Sequence, residues 1–149
     1  MYKSSRQIED VSNANQRQWA VGEYGKLNLS ERKEFYIACC KTFCVSASFK
    51  PFDVINFKGR EILYPNSACI RQLAVINNLT TTIVQEGKTK ELYKVTVEVK
   101  SENGRATQEY AVVSISGCEG ERLANLMMKC LTKAKRRAVL SHCGMPSVI

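Results

Sequence analysis

The sequence predicts an α+β fold: a three-stranded antiparallel sheet packed by a long C-terminal helix (a β-β-β-α core), preceded by a short hairpin and helices. Two observations carry this expectation. Between Leu79 and Ile115 lie three stretches that alternate or are rich in β-branched residues, separated by short turn-forming links. From Arg122 to Ser141 runs the longest helical pattern in the chain, with Leu123, Met127, Cys130, Leu131, Ala134 and Ala138 forming one apolar stripe.

The elements follow in order. Residues 1–28 are polar, rich in Asn and Gln, and hold the only tryptophan, Trp19. They are expected to form an N-terminal arm, with Trp19 as a docking or inter-protomer contact. Residues 29–149 make the core domain, since 149 residues at 44% hydrophobic content suffice for one core and are short for two. Ser30 caps a helix over about 31–44, where Phe35, Cys39 and Phe43 recur at four-residue spacing. After Pro51, Asp53 to Phe57 alternates, Lys58-Gly59-Arg60 turns with Gly59 at positive φ, and Glu61 to Tyr64 returns. Pro65 ends this hairpin, and Asn66 or Ser67 caps a helix carrying Ala68, Cys69, Leu73 and Ile76.

The meander consists of Leu79–Gln85, Leu92–Lys100 and Arg105–Ile115. In its middle strand Tyr93, Val95, Val97 and Val99 share one face, and Lys94, Thr96, Glu98 and Lys100 the other. Ser101-Glu102-Asn103-Gly104 and Glu86-Gly87-Lys88-Thr89-Lys90 are the turns. A three-stranded sheet needs a cover, and the apolar stripe of the helix over 119–141 is the longest available. Gly144 and Pro146 stop that helix.

Charge singles out the same helix. The chain has a formal net charge of +8 from 22 basic and 14 acidic residues. Residues 119–149 hold six Lys/Arg against two Glu, half of the excess on about a fifth of the chain. Arg122, Lys129, Lys133 and Arg136 fall within about 60° of one another on the side away from the apolar stripe. Lys135 and Arg137 lie off this row, and charges at the helix C-terminus also suit its dipole. A cationic row on one face calls for a polyanion, and phosphates of a single strand repeat on the scale of its ~4 to 10 Å steps. Such contacts position a nucleic acid without reading its sequence. Lys58, Arg60, Lys88, Lys90 and Arg105 sit at strand ends or turns, where they either widen the track or serve as solvated charges. Tyr64, Tyr93, Tyr110 and Phe57 are candidate platforms for bases, against the alternative that strand aromatics belong to the core.

Other chemistries find little support. The seven cysteines, 39, 40, 44, 69, 118, 130 and 143, include no paired Cys-x-x-Cys knuckle, and no apolar N-terminal run precedes them, so a reducing cytoplasm is expected. His142 beside Cys143 resembles a catalytic couple, yet sequence neighbours on a helix diverge. Asp53, Glu61, Glu98 and Glu109 offer no spacing that makes a two-metal site. No phosphate-cradling glycine loop is present, and no stretch is long enough to span a membrane. The expectation is a protein without catalytic activity or cofactor.

The stretch Pro51-Phe52-Asp53-Val54-Ile55-Asn56-Phe57-Lys58-Gly59-Arg60-Glu61-Ile62-Leu63-Tyr64-Pro65-Asn66, with Cys69 and Gln72-Leu73, resembles the bacteriophage single-strand annealing proteins of the Redβ/RecT-like group. So does Leu123-Ala124-Asn125 through Lys129, followed by Thr132-Lys133-Ala134-Lys135-Arg136-Arg137-Ala138-Val139-Leu140-Ser141 and Cys143-Gly144, the more specific segment. The resemblance covers about residues 30–145. It implies ATP-independent binding of single-stranded DNA and annealing of complementary strands in recombination and repair, within a bacterial host cytoplasm. It further implies assembly of copies into a ring or helical filament, with a phage exonuclease or a host single-strand-binding protein as further partners. Carried onto this chain, the backbone contacts are Lys133, Lys135, Arg136 and Arg137, with Lys129 added and Lys58 and Arg60 on the matching hairpin. His142 stands where the family more often has an apolar residue. Where an acidic or polar extension is expected after Cys143-Gly144, the chain continues only through Met145-Pro146-Ser147-Val148-Ile149, the pattern of a compact or truncated member. The rival expectation is a noncatalytic inhibitor or interaction protein using the same fold against a host protein or RNA.

Overall fold

In the computed structural model, residues 23–145 are described, and they group into two compact units, residues 23–76 and 77–145. Residues 1–22 of the expected arm, with Trp19, and Pro146 lie outside the described residues, while residues 23–28 belong to the first unit.

The first unit opens with a short 3-10 turn, Glu23–Lys26, and helix α1, Leu29–Phe43. The cap of α1 is Asn28 rather than Ser30. Its side-chain oxygen accepts the Glu31 N–H at 2.9 Å, and the Glu31 carboxylate accepts the Asn28 N–H at 3.1 Å. This reciprocal pair satisfies two of the orphan donors at a helix start, which Ser30 alone would not do, so the helix begins two residues earlier than expected. At the other end Cys44 takes a left-handed conformation (φ 59), and the Val45 N–H reaches the Cys40 carbonyl at 3.0 Å.

Strands β1 (Phe52–Phe57) and β2 (Arg60–Pro65) pair antiparallel from Phe52↔Pro65 to Phe57↔Arg60. Arg60 therefore belongs to the ladder, and the turn is Lys58-Gly59 alone. Both turn residues have positive φ, 52 and 78, the twist that a two-residue hairpin requires. Asn66 then caps helix α2, Ser67–Ile76: its oxygen accepts the Ala68 and Cys69 N–H groups at 3.0 and 3.2 Å, while its amide donates to the Lys50 carbonyl and to Asp53. Phe35, Cys39, Phe52, Ile62, Leu63, Cys69 and Leu73 are buried.

The second unit is the sheet and its helix. Strands β3 (Thr80–Lys88), β4 (Leu92–Lys100) and β5 (Ala106–Ser114) form an antiparallel sheet in the order β3-β4-β5, with a register irregularity at Val84. β3 runs three residues past its expected end. Thr89 makes the turn so tight that its N–H already bonds the Leu92 carbonyl at 2.8 Å, and its hydroxyl accepts the Leu92 N–H at 3.0 Å. Helix α3, Gly120–His142, returns along β4 and β5. It ends as expected of a glycine stop: Gly144 has φ 74, and the Met145 N–H bonds the Leu140 carbonyl at 2.9 Å.

The core of this unit lies between α3 and one face of the sheet. Tyr93, Val95, Val97 and Val99 of β4 are buried there, with Ala111 of β5 and Cys130, Ala134 and Ala138 of α3. Small residues at the centre of the helix stripe bring its backbone close to the strands, and the Cys130 thiol points at the Tyr93 carbonyl, 3.9 Å away. Leu123, Met127 and Leu131, the stripe's larger members, are only half-buried.

Candidate nucleic-acid interface

Helix periodicity and packing together place the cations. Arg137 donates to the backbone carbonyl of Tyr110 on β5 at 3.5 Å, so its flank of α3 faces the β5 side of the sheet. The row Arg122, Lys129, Lys133 and Arg136 lies about one residue step further around the helix in the same sense, turned away from the sheet. Lys135, exposed, is on the opposite flank. Arg122, Lys129 and Lys133 are exposed, and Arg136 and Arg137 are half-buried. Among the described residues no ion pair engages Arg122, Lys129, Lys133 or Lys135. Arg136 is half-buried and Leu140, seven residues after Lys133 on the same side of the helix, is buried, so the open row runs from Arg122 to Lys133.

The hairpin cations belong to the first unit. Lys58 is exposed on the turn with its ammonium 5.2 Å from the Phe57 ring centroid, and Arg60 is exposed at the start of β2.

The aromatic candidates separate by register. Tyr93 faces α3, is buried, and donates its hydroxyl to Glu86 at 2.8 Å; burial first, then this bond, pushes its pKa up to about 12. Tyr64 and Phe57 are half-buried. Tyr110 pairs with Thr96 and therefore points to the face opposite α3; it is 52% exposed, with the Lys94 ammonium 4.6 Å from its ring centroid. Lys94 was not among the expected contacts. Its partner is a residue on the neighbouring strand, and only the β4–β5 register brings them together.

His142, Arg105, Asp53, Glu61 and Glu98 have structural partners. His142 is buried with Nδ1 2.9 Å from the Thr107 hydroxyl, and Arg105 donates to the His142 carbonyl at 2.6 Å. Burial, then the Arg105 guanidinium, lowers the imidazole pKa. The Cys143 sulfur instead accepts from Asn77 at 3.7 Å, so the two neighbours diverge. Burial pushes the Cys130 thiol pKa up, opposed by the nearby Lys133 ammonium. Asp53 accepts from Asn66, Glu61 pairs with Arg32 at 3.4 Å, and Glu98 accepts from Gln108 at 3.0 Å. Among the described residues no group of three His, Cys, Asp or Glu could hold a metal ion, and no helix is long and apolar enough to cross a membrane.

No protein-family model matches the chain, and no curated protein matches it in sequence.

Proposed function

We propose that this chain binds the backbone of single-stranded DNA along α3 and anneals complementary strands, without ATP and without a covalent step. The observation that carries the reading is the row Arg122, Lys129 and Lys133: exposed, unpaired among the described residues, and held on a helix whose other side is committed to the sheet. A rigid row lowers the entropic cost of binding several phosphates at once, and it neutralises the repulsion that keeps two strands apart. Base pairing then supplies the sequence specificity. A single row holds few phosphates, so assembly of several copies in a ring or filament would multiply the contacts.

The test is a fluorescence-anisotropy titration of labelled single strands of unrelated sequence at several salt concentrations. Lys129→Ala with Lys133→Ala should weaken binding to all of them alike and reduce the slope of log affinity against log salt by roughly 1.4, at about 0.7 for each phosphate that is no longer neutralised. Both side chains are exposed, so circular dichroism should be unchanged. An unaltered affinity would sink the assignment of DNA to α3. Binding without faster pairing of complementary oligonucleotides would instead favour the reading as an interaction protein.

A further inference from the structure

Tyr110 occupies a place that core packing does not explain. It stands on the face of β5 opposite α3, with its ring half in solvent. Its neighbours on that face are Thr96, directly across, Lys94 with Val112, a cross-strand pair one step along, and Glu98 with Gln108, hydrogen-bonded to each other, one step the other way; Val112 and Leu92 are exposed too. The face thus offers an exposed aromatic ring with one cation against it, an apolar edge at Val112 and Leu92, and a carboxylate at Glu98 engaged by Gln108.

We infer that Tyr110 and Lys94 form a base-stacking subsite for single-stranded DNA, separate from the phosphate row on α3. The inference rests on the proposed function, and it adds where the bases go. Every base has a π-face, so a lone exposed tyrosine accepts any of them, as an annealing scaffold requires. The Lys94 ammonium sits against the ring, within reach of the phosphate of a nucleotide stacked there. Charge complementarity selects the occupant: Lys94 adjoins the ring on the open face, and Arg137, bonded to the carbonyl of Tyr110 itself, carries positive charge along β5 to α3. A strand with its phosphates on the row can follow β5 and turn a base onto the Tyr110 ring.

Two labelled strands of equal length test this on the whole chain: oligothymidine, and an abasic strand that keeps only sugar and phosphate. Tyr110→Ala should weaken oligothymidine binding on the order of five- to 150-fold, the range for one stacked base, and leave the abasic strand unaffected; Tyr110→Phe should bind both like the wild type. Photo-cross-linking of the wild-type chain to a strand carrying 5-iodouracil removes any dependence on folding of the variant. The modified tryptic peptide should be 106–122, whose only aromatic residue is Tyr110. Unchanged oligothymidine affinity in Tyr110→Ala, equal losses on both strands, or cross-links that avoid Tyr110 would overturn the subsite. If the wild-type chain binds neither strand, the DNA reading itself fails. If it binds both equally and remains sensitive to Lys129→Ala with Lys133→Ala, only the stacking subsite fails.

Discussion

Strands β3 and β5 are both nine residues long and flank the same central strand, yet they live in different environments. On the helix-facing side, Ala111 of β5 is 2% exposed and Ile83 of β3 is 48% exposed, although each stands across from a fully buried valine of β4. The cause is one of width. A helix with its side chains is about 10–12 Å across and strands lie about 4.8 Å apart, so one helix covers two strands and leaves a third. α3 packs on β4 and β5, and β3 is held by its ladder to β4. The apolar face of a three-stranded sheet is therefore not a uniform core, and the cations sort around the helix: Arg137 lies on the β5 flank, the row beyond it turned away from the sheet, and Lys135 on the flank opposite Arg137.

The largest test of this difference places a charge on each flanking strand. Ala111→Asp buries a carboxylate under α3 with no partner and should cost at least about 3 kcal/mol of unfolding free energy, whereas Ile83→Asp should cost about 1 kcal/mol or less. Urea denaturation followed by circular dichroism measures both. Equal losses would mean that the inner face of β3 is covered in solution.

A finer test uses two threonines that stand on either side of Val99, Thr81 on β3 and Thr107 on β5. Thr107→Val removes the partner of His142 Nδ1 in a buried site, an expected loss of about 1–3 kcal/mol; Thr81→Val should change stability by no more than about 0.5 kcal/mol. The readout is the urea midpoint at constant denaturant slope.

The smallest effect depends on pH. The chain has one histidine, and burial holds its folded pKa below 6.5. As pH falls through 6.5 the unfolded chain takes up the proton first, so the native state loses stability from about pH 6.5 down to the lower folded pKa. It keeps its full contribution above 6.5. The slope can reach about 1.4 kcal/mol per pH unit within that window. The difference between wild type and His142→Leu in urea denaturation across pH 5 to 8 isolates it, because the carboxylates are common to both. A flat difference would mean that the junction of α3 with β5 admits water.

Much of the architecture is legible in local chemistry. The alternation of Tyr93, Val95, Val97 and Val99 marks the buried face of β4, and the Gly144 stop is readable because only a left-handed residue closes a helix in that way. Local reading fails where two signals compete within a few residues. Asn28 and Ser30 are both good caps, and the choice went to the one with Glu three residues on. The β3 boundary depended on how tightly Thr89 turns. In the candidate site, the row Arg122, Lys129 and Lys133 is a matter of helical period and is visible in the chain itself. Tyr110 is visible only as one of four candidate aromatics, because its face depends on pairing with Thr96.

By itself the sequence determined the order of elements, the cationic row and the stripe opposite it, since each follows from a period of 2 or 3.6 residues along one segment. Tertiary structure alone decided how many strands the helix covers, that Arg137 donates to the Tyr110 carbonyl while Lys129 and Lys133 are exposed, and that Tyr93 is core while Tyr110 meets solvent. These are questions of distance between segments far apart in sequence, and helix width, strand spacing and register settle them.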